Sequence, residues 1–114
     1  MNERDRLRLR HILDAAERIE EYLKGADQAA FLSNRMLQDA VIRNLEVIGE
    51  ACANLSAGVT GANTDIPWNK ASGIRNRLVH GYFDVDLKVV WRTARDSLPA
   101  FARQISSLLQ RDQQ

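Results

Sequence analysis

The segment MLQDAVIRNLEVIGEACANL, residues 36–55, decides the fold of this chain. Its apolar residues recur at steps of three and four and cover close to half of a helical circumference. They are Met36, Leu37, Ala40, Val41, Ile48, Ala51, Cys52 and Leu55. A helix that is apolar over this width must be covered by several neighbours. We therefore expect a central helix that begins with Ser33 as its N-cap and ends near Leu55.

A first helix is predicted ahead of this segment, over residues 4–24. Its apolar side chains form a single stripe, which consists of Leu9, Ile12, Ala16, Ile19 and Leu23. Gly25 marks the end of the helix. Residues 6–10, RLRLR, alternate like a short strand, but the helical phase continues beyond them and overrules that interpretation.

A third helix is predicted after a loop. Residues 56–66, SAGVTGANTDI, have the Gly, Ser, Thr and Asn content that is typical of a surface loop. Pro67 then suits the first turn of a helix, because the N–H that it lacks would be unpaired there anyway. Gly81 suits the end of that helix.

The last part of the chain predicts a fourth helix, with Asp86 as its N-cap. Its apolar residues keep one helical phase through Pro99, and they are Leu87, Val90, Trp91, Ala94, Leu98, Phe101, Ile105 and Leu108. We expect one long kinked helix, or two nearly collinear ones, with the bend near Arg95, because Pro99 cannot donate to that carbonyl. With 114 residues the chain supports a single domain, residues 1–114, and the fold class is all-α. The expected architecture is a bundle of four to five helices with mostly antiparallel neighbours.

Composition and charge limit the classes of function that the protein can have. A net charge of only +1 lacks the broad electrostatic footprint of a duplex nucleic-acid binder, so any such function must be local. The first ten residues are charged where a secretory signal requires an apolar region, and no apolar run is long enough to span a bilayer. The single Cys52 suits a reducing compartment and is expected to be a buried hydrophobe. These features predict a soluble cytoplasmic protein.

The stretch RNRLVHGY, residues 75–82, departs from this plain helical pattern. On a helical wheel Arg75 falls inside the apolar arc of the third helix, where an unpaired charge would be costly. Arg75 could pair with Glu46 or Glu50 of the central helix, and His80 could be a helix C-cap. Alternatively, both residues face a cleft or a subunit interface and bind phosphate.

Three other features bear on a site. Arg6 and His11 repeat the spacing of Arg75 and His80, but no tyrosine follows, and we interpret them as a solvated face of the first helix. Asn44 falls on the apolar face of the central helix, where a core amide satisfied by backbone groups is favoured over a role in the site. Gly49 could allow a close helix approach or be neutral. The cysteine and the two histidines do not cluster at metal-ligand spacing, so no metal or other cofactor is predicted.

The motif Arg75-x4-His80-x-Tyr82, with Asn76 directly after the arginine, resembles that of the HEPN superfamily of small helical ribonucleases. The surrounding sequence, MLQDAVIRNLEVIGEA and PWNKASGIRNRLVHGYFDVD followed by VW, resembles the HepT-type toxin branch over nearly the whole chain. This resemblance implies an HEPN-like fold and a metal-independent endoribonuclease that acts on RNA as a homodimer. It also implies catalytic roles for Arg75 and His80, with Asn76 assisting.

The resemblance further implies a cognate MntA-like nucleotidyltransferase antitoxin that transfers AMP to Tyr82. Two alternatives belong to other classes. One is a noncatalytic helical partner subunit that binds nucleotide or substrate for such a nucleotidyltransferase, and the other is a structural dimerisation module.

Overall fold

The computed structural model describes the backbone of residues 1–80 and 86–113, and the side chains of residues 1–74 and 86–113. All regular structure within these ranges is helical. The helices are α1 (Glu3–Leu23), α2 (Gln28–Leu32), α3 (Arg35–Ala53), α4 (Ala57–Ala62), α5 (Trp68–His80), α6 (Leu87–Arg92) and α7 (Leu98–Asp112), with a π-helical segment, Thr93–Ser97, between α6 and α7. The predicted all-α bundle is therefore confirmed.

The long helices form a bundle around one core. Helix α3 packs against α1 on one side and α5 on the other, and α1 also packs against α7. The short α2 packs against α3 and α6. The largest fully buried apolar side chains come from four of these helices, and they are Leu9, Ile12, Ile19, Phe31, Val41 and Ile105. None of the described helices combines the length and the apolarity that a membrane span requires.

Helix α1 begins and ends close to the predicted positions. The side chain of Asn2 accepts a hydrogen bond from the backbone N–H of Asp5 at 2.7 Å and so caps the first turn. After α1 ends at Leu23, Gly25 adopts a φ of 75°, which lies in the left-handed region that glycine enters without steric cost.

Two predicted boundaries are wrong. Ser33 does not cap α3; it follows α2, and its hydroxyl donates to the carbonyl oxygen of Ala29 at 3.0 Å. The cap of α3 is Asn34, whose side chain accepts from the N–H of Leu37 at 3.1 Å. The predicted loop 56–66 instead contains helix α4. The buried side chain of this helix is that of Val59.

The regular α-helix is interrupted at the place where we predicted a bend, near Arg95. Asp86 caps α6 by accepting from the N–H of Lys88 at 3.0 Å. The chain then widens into the π-helical segment Thr93–Ser97 before α7 begins. Because Pro99 has no N–H and its ring crowds the carbonyl of Arg95, the regular α pattern cannot continue there.

A buried carboxylate ties the first turn of α1 to the segment that follows α3. Asp5 is only 2% exposed, and it accepts hydrogen bonds from the backbone N–H of Ser56 at 3.1 Å and from its hydroxyl at 2.6 Å. Burial alone would raise the pKa of Asp5, but the bonds from Ser56 and the charges of Arg8 and the terminal ammonium outweigh it and lower this pKa. The carboxylate therefore holds Ser56, the N-cap residue of α4, in place, while the Ser56 side chain makes no cap hydrogen bond to α4.

We predict that Asp5→Ala lowers the free energy of unfolding by about 1–3 kcal/mol, because it leaves two buried donors of Ser56 without their acceptor. The folded-state pKa of Asp5 is lowered, so its contribution is present at neutral pH and is lost as the pH falls through that pKa. The difference between wild type and variant should thus shrink below about pH 4. Urea unfolding at several pH values measures this. Asp14→Ala, at an exposed position of the same helix, is the control; equal losses in both variants would contradict the assignment.

Candidate active site

Helix α5 carries most of the residues that the sequence singled out. Arg75, Asn76 and His80 all lie in its last two turns. At the rise and rotation of an α-helix, the Cα atoms of Arg75 and His80 are separated by about 7.5 Å along the axis and about 140° around it. The side chains of these three residues lie outside the described part of the structure, as do Gly81 and Tyr82 entirely. The pairing of Arg75 with Glu46 or Glu50 therefore stays a prediction.

The start of α5 is anchored in the core. Trp68 is 8% exposed, its indole N–H donates to the carbonyl oxygen of Asn63 at 2.9 Å, and its ring meets Phe101 of α7 edge-on at 6.3 Å between centroids. The carbonyl oxygen of Pro67 accepts from the N–H of Ala71 at 3.2 Å. Pro67 thus directly precedes the helix, within one residue of its predicted place. These contacts fix the direction in which α5 presents its later turns.

Helix α5 packs against helix α3. Asn44 is 8% exposed, and its amide donates to the carbonyl oxygen of Ala40 at 2.9 Å, which agrees with the preferred interpretation of a satisfied core amide. Gly49 is buried on the same helix. Burial raises the pKa of the Cys52 thiol to about 12, so this cysteine is protonated at neutral pH and belongs to the core, as predicted.

The second Arg-x4-His pair has a structural role. The guanidinium of Arg6 bonds the carboxylates of Asp112 at 2.6 Å and Glu3 at 2.7 Å, and it also donates to the carbonyl oxygen of Met1 at 2.8 Å. The bond to Asp112 raises the pKa of Arg6 and lowers that of Asp112. His11 is exposed. The expectation of a merely solvated arginine is thus wrong, because Arg6 fastens α1 to the end of α7.

Two features of the α6–α7 region were missed by the sequence reasoning. The guanidinium of Arg95 lies over the ring of Trp91 at 5.5 Å, and that ring in turn packs against Phe31 at 5.6 Å. A groove of about 600 Å³ runs between α1 and α7. Its lining includes no described residue of α5, so it is separate from the predicted catalytic motif. The only advance signal was the Trp-x3-Arg spacing, which places both side chains on one helix face.

Metal ligands do not assemble in the part of the chain with described side chains. No three histidine, cysteine, aspartate or glutamate residues come close enough there to hold an ion. This part of the chain does not include the side chains of the α5 motif or residues 81–85.

Comparison with known proteins places the whole bundle in one family. The family model described as "Ribonuclease HepT-like" matches residues 12–108, which run from α1 into α7 and include all of α5. This chain belongs to the HepT-like ribonuclease family. The resemblance seen in the sequence is thereby confirmed, and so is the expectation of an RNA-cleaving enzyme.

Individual relatives cover the chain almost end to end. A predicted RNase of Caldanaerobacter subterraneus is 34% identical over 104 residues, which are 91% of this chain and 93% of the relative. A probable ribonuclease HepT of Thermococcus cleftensis is 36% identical over 88% of this chain and 91% of its own length. A Methanocaldococcus jannaschii protein, named as a gamma-glutamylcyclotransferase and predicted RNase, is 37% identical over 90% of this chain but only 46% of its own length. No solved structure gives a significant match.

We predict that the anchor at Trp68 controls the order of α5. Trp68→Phe keeps the ring contact with Phe101 but removes the donor to Asn63, and it should lower the free energy of unfolding by about 1 kcal/mol. Trp68→Ala should lower it by about 3–5 kcal/mol. Hydrogen exchange of the α5 amides should accelerate in the same order. Asn69→Ala, at an exposed position one residue later, is the control; unchanged α5 exchange in Trp68→Ala would contradict this role.

Proposed function

We propose that this chain is a metal-independent endoribonuclease toxin in which Arg75 and His80 are catalytic and Asn76 assists. The observation that carries the proposal is the HepT-like family match over residues 12–108, together with the placement of the whole Arg-x4-His motif on one helix, α5. The substrate would be a cellular RNA, either tRNA or mRNA, in the cytoplasm.

The residue types suit cleavage by the RNA's own nucleophile. The 2′-hydroxyl attacks the adjacent phosphorus, and the bond from phosphorus to the 5′-oxygen breaks. A base must accept the proton of the 2′-hydroxyl, an acid must protonate the leaving 5′-oxygen, and a cation must stabilise the charged phosphorane. Histidine can serve as acid or base near neutral pH, and the guanidinium of Arg75 can bind two phosphate oxygens at once.

One chain supplies a single motif histidine, whereas this reaction uses both a base and an acid. A two-fold homodimer that brings two copies of α5 together would provide two His80 and two Arg75 side chains around one phosphate. A neutral imidazole could then act as the base while an imidazolium of the other copy acts as the acid. Burial of α5 at a subunit interface would also account for an arginine within its apolar arc.

Tyr82 follows His80 by two residues and is the proposed regulatory site. An MntA-like nucleotidyltransferase antitoxin would join AMP to its phenolic oxygen, with release of pyrophosphate from ATP. The added phosphodiester would place an anion close in sequence to Arg75 and His80, where it can compete with the RNA phosphate for the arginine. On this proposal the modification silences the toxin.

The catalytic proposal predicts that Arg75→Ala and His80→Ala each reduce RNA cleavage by at least about 100-fold while the chain stays folded and dimeric. His11→Ala and Arg18→Ala, which alter exposed residues of the same types on α1, should leave cleavage unchanged. Gel assays of a labelled RNA, with circular dichroism and sedimentation as checks of folding and assembly, measure these effects.

The same reaction should proceed in EDTA and leave a 5′-hydroxyl and a 2′,3′-cyclic phosphate, and it should spare DNA, which has no 2′-hydroxyl. Full activity of His80→Ala, or a strict requirement for Mg²⁺ with 5′-phosphate products, would refute the mechanism. A folded wild-type protein that cleaves no RNA but binds a nucleotidyltransferase would favour the noncatalytic partner subunit instead.

The regulatory proposal predicts that Tyr82→Phe keeps its toxicity but is no longer neutralised by an active nucleotidyltransferase. Mass spectrometry of the co-expressed wild-type protein should show one or more AMP units on Tyr82. Tyr22→Phe, at an exposed tyrosine of α1, is the matched control and should still be silenced. If Tyr82→Phe is silenced as well as wild type, Tyr82 is not the regulatory residue.

A further inference from the structure

The groove between α1 and α7 carries opposite charges on its two walls. We call it the α1–α7 groove; Glu17 and Glu20 stand on its α1 wall. The opposite wall, which consists of α7 and the π-helical segment before it, carries Arg103 and Arg95. All four side chains are exposed. Between them lie apolar residues of both helices, among which Pro99 is exposed and Leu13 half-buried. One wall is therefore acidic, the other basic, and the base is largely apolar.

Within the described part of the chain, the charged side chains of the groove form no ion pairs. The ion pairs found there involve the terminal ammonium, Arg6, Lys24 and Arg43, and none of them includes a charged residue of the groove. Arg95 instead lies over the ring of Trp91, which holds its guanidinium at the edge of the groove. Exposed charges in such an arrangement favour a partner surface that places basic groups opposite the acidic wall and acidic groups opposite the basic wall.

The relative heights of the residues on the two walls indicate that the groove of one copy could bind the same groove of a second copy. The ion pair of Arg6 with Asp112 joins the beginning of α1 to the end of α7, so the two helices run antiparallel. At the α-helical rise, counting from that pair places Glu17 within about 3 Å of the level of Arg103 on α7. Continuing the count through the π-helical segment before α7 places Arg95 within about 5 Å of the level of Glu20. Each acid thus has a base at nearly its own height on the opposite wall.

We propose that the α1–α7 groove binds the same groove of a second copy of this chain, about a two-fold axis that runs along the groove. That rotation exchanges the walls and preserves the heights, so that Glu17 of one copy faces Arg103 of the other and Glu20 faces Arg95. Four ion pairs then close around an apolar centre. A second copy fits better than an unrelated helix, because the groove already contains both signs at matching levels.

This interface lies on the side of the bundle that is formed by α1 and α7, whereas α5 packs against α3. It does not rest on the proposed RNA cleavage. If α5 also mediates a dimer, the two interfaces together would join dimers into a tetramer. RNA cleavage would then be retained when the groove contact alone is lost.

The experiment uses two charge-reversed chains, Glu17→Arg/Glu20→Arg and Arg95→Glu/Arg103→Glu, and measures mass by light scattering and sedimentation over a range of concentrations. Each chain alone places like charges across the two-fold axis, so its assembly should have half the mass of the wild-type assembly, with an association at least about tenfold weaker. An equimolar mixture restores opposite charges at all four pairs and should regain the wild-type mass. Raising the salt concentration should weaken the wild-type contact.

The matched control is Asp14→Arg/Glu21→Arg, which makes the same change of charge at exposed positions of α1 that do not line the groove. It should keep the wild-type mass. The proposal is overturned if the reversed chains keep the wild-type mass, if their mixture does not regain it, or if the control loses mass equally. Half-mass species that are monomers would support the groove contact and count against the α5 dimer, which separates the two proposals.

Discussion

The burial of α3 between α1 and α5 is the constraint on which the rest of the structure depends. One neighbouring helix cannot cover the broad apolar face of α3, so both α1 and α5 pack against it. Helix α7 then completes the bundle by packing on α1. The position of α5, which carries the Arg-x4-His motif, follows from this arrangement.

The sequence predicted those parts of the fold that depend on long periodic patterns. Helices α1 and α3 and the α6–α7 region each bury a stripe that repeats over several turns, and such stripes are visible without a structure. Helix α2 has five residues and α4 has six, which is too short for periodicity to be distinguished from a loop. Ser33 and Asn34 are adjacent and equally good caps, so only the packing of α2 decides between them.

The buried carboxylate of Asp5 was harder to foresee than the buried amide of Asn44. Asp5 sits in a first turn where acidic residues are common for electrostatic reasons, so nothing local distinguishes it from a solvated carboxylate. Its role depends on Ser56, which is distant in sequence. The candidate site, in contrast, was identified from a local sequence motif. Its residue types and spacing were recognised by their resemblance to a family, whereas the proposed chemistry calls for a second motif histidine, and one chain has only His80 in that motif.

The first turn of α1 also has a consequence for the order in which the chain folds. Two successive residues there bind distant partners: Asp5 bonds Ser56, 51 positions later, and Arg6 bonds Asp112, 106 positions later. Contacts that close such long loops form late, because the chain entropy must be given up before they contribute. During synthesis, α1 emerges early but cannot be fastened to α7 until residue 112 has left the ribosome. The nascent bundle therefore stays open at this end until synthesis has passed that residue.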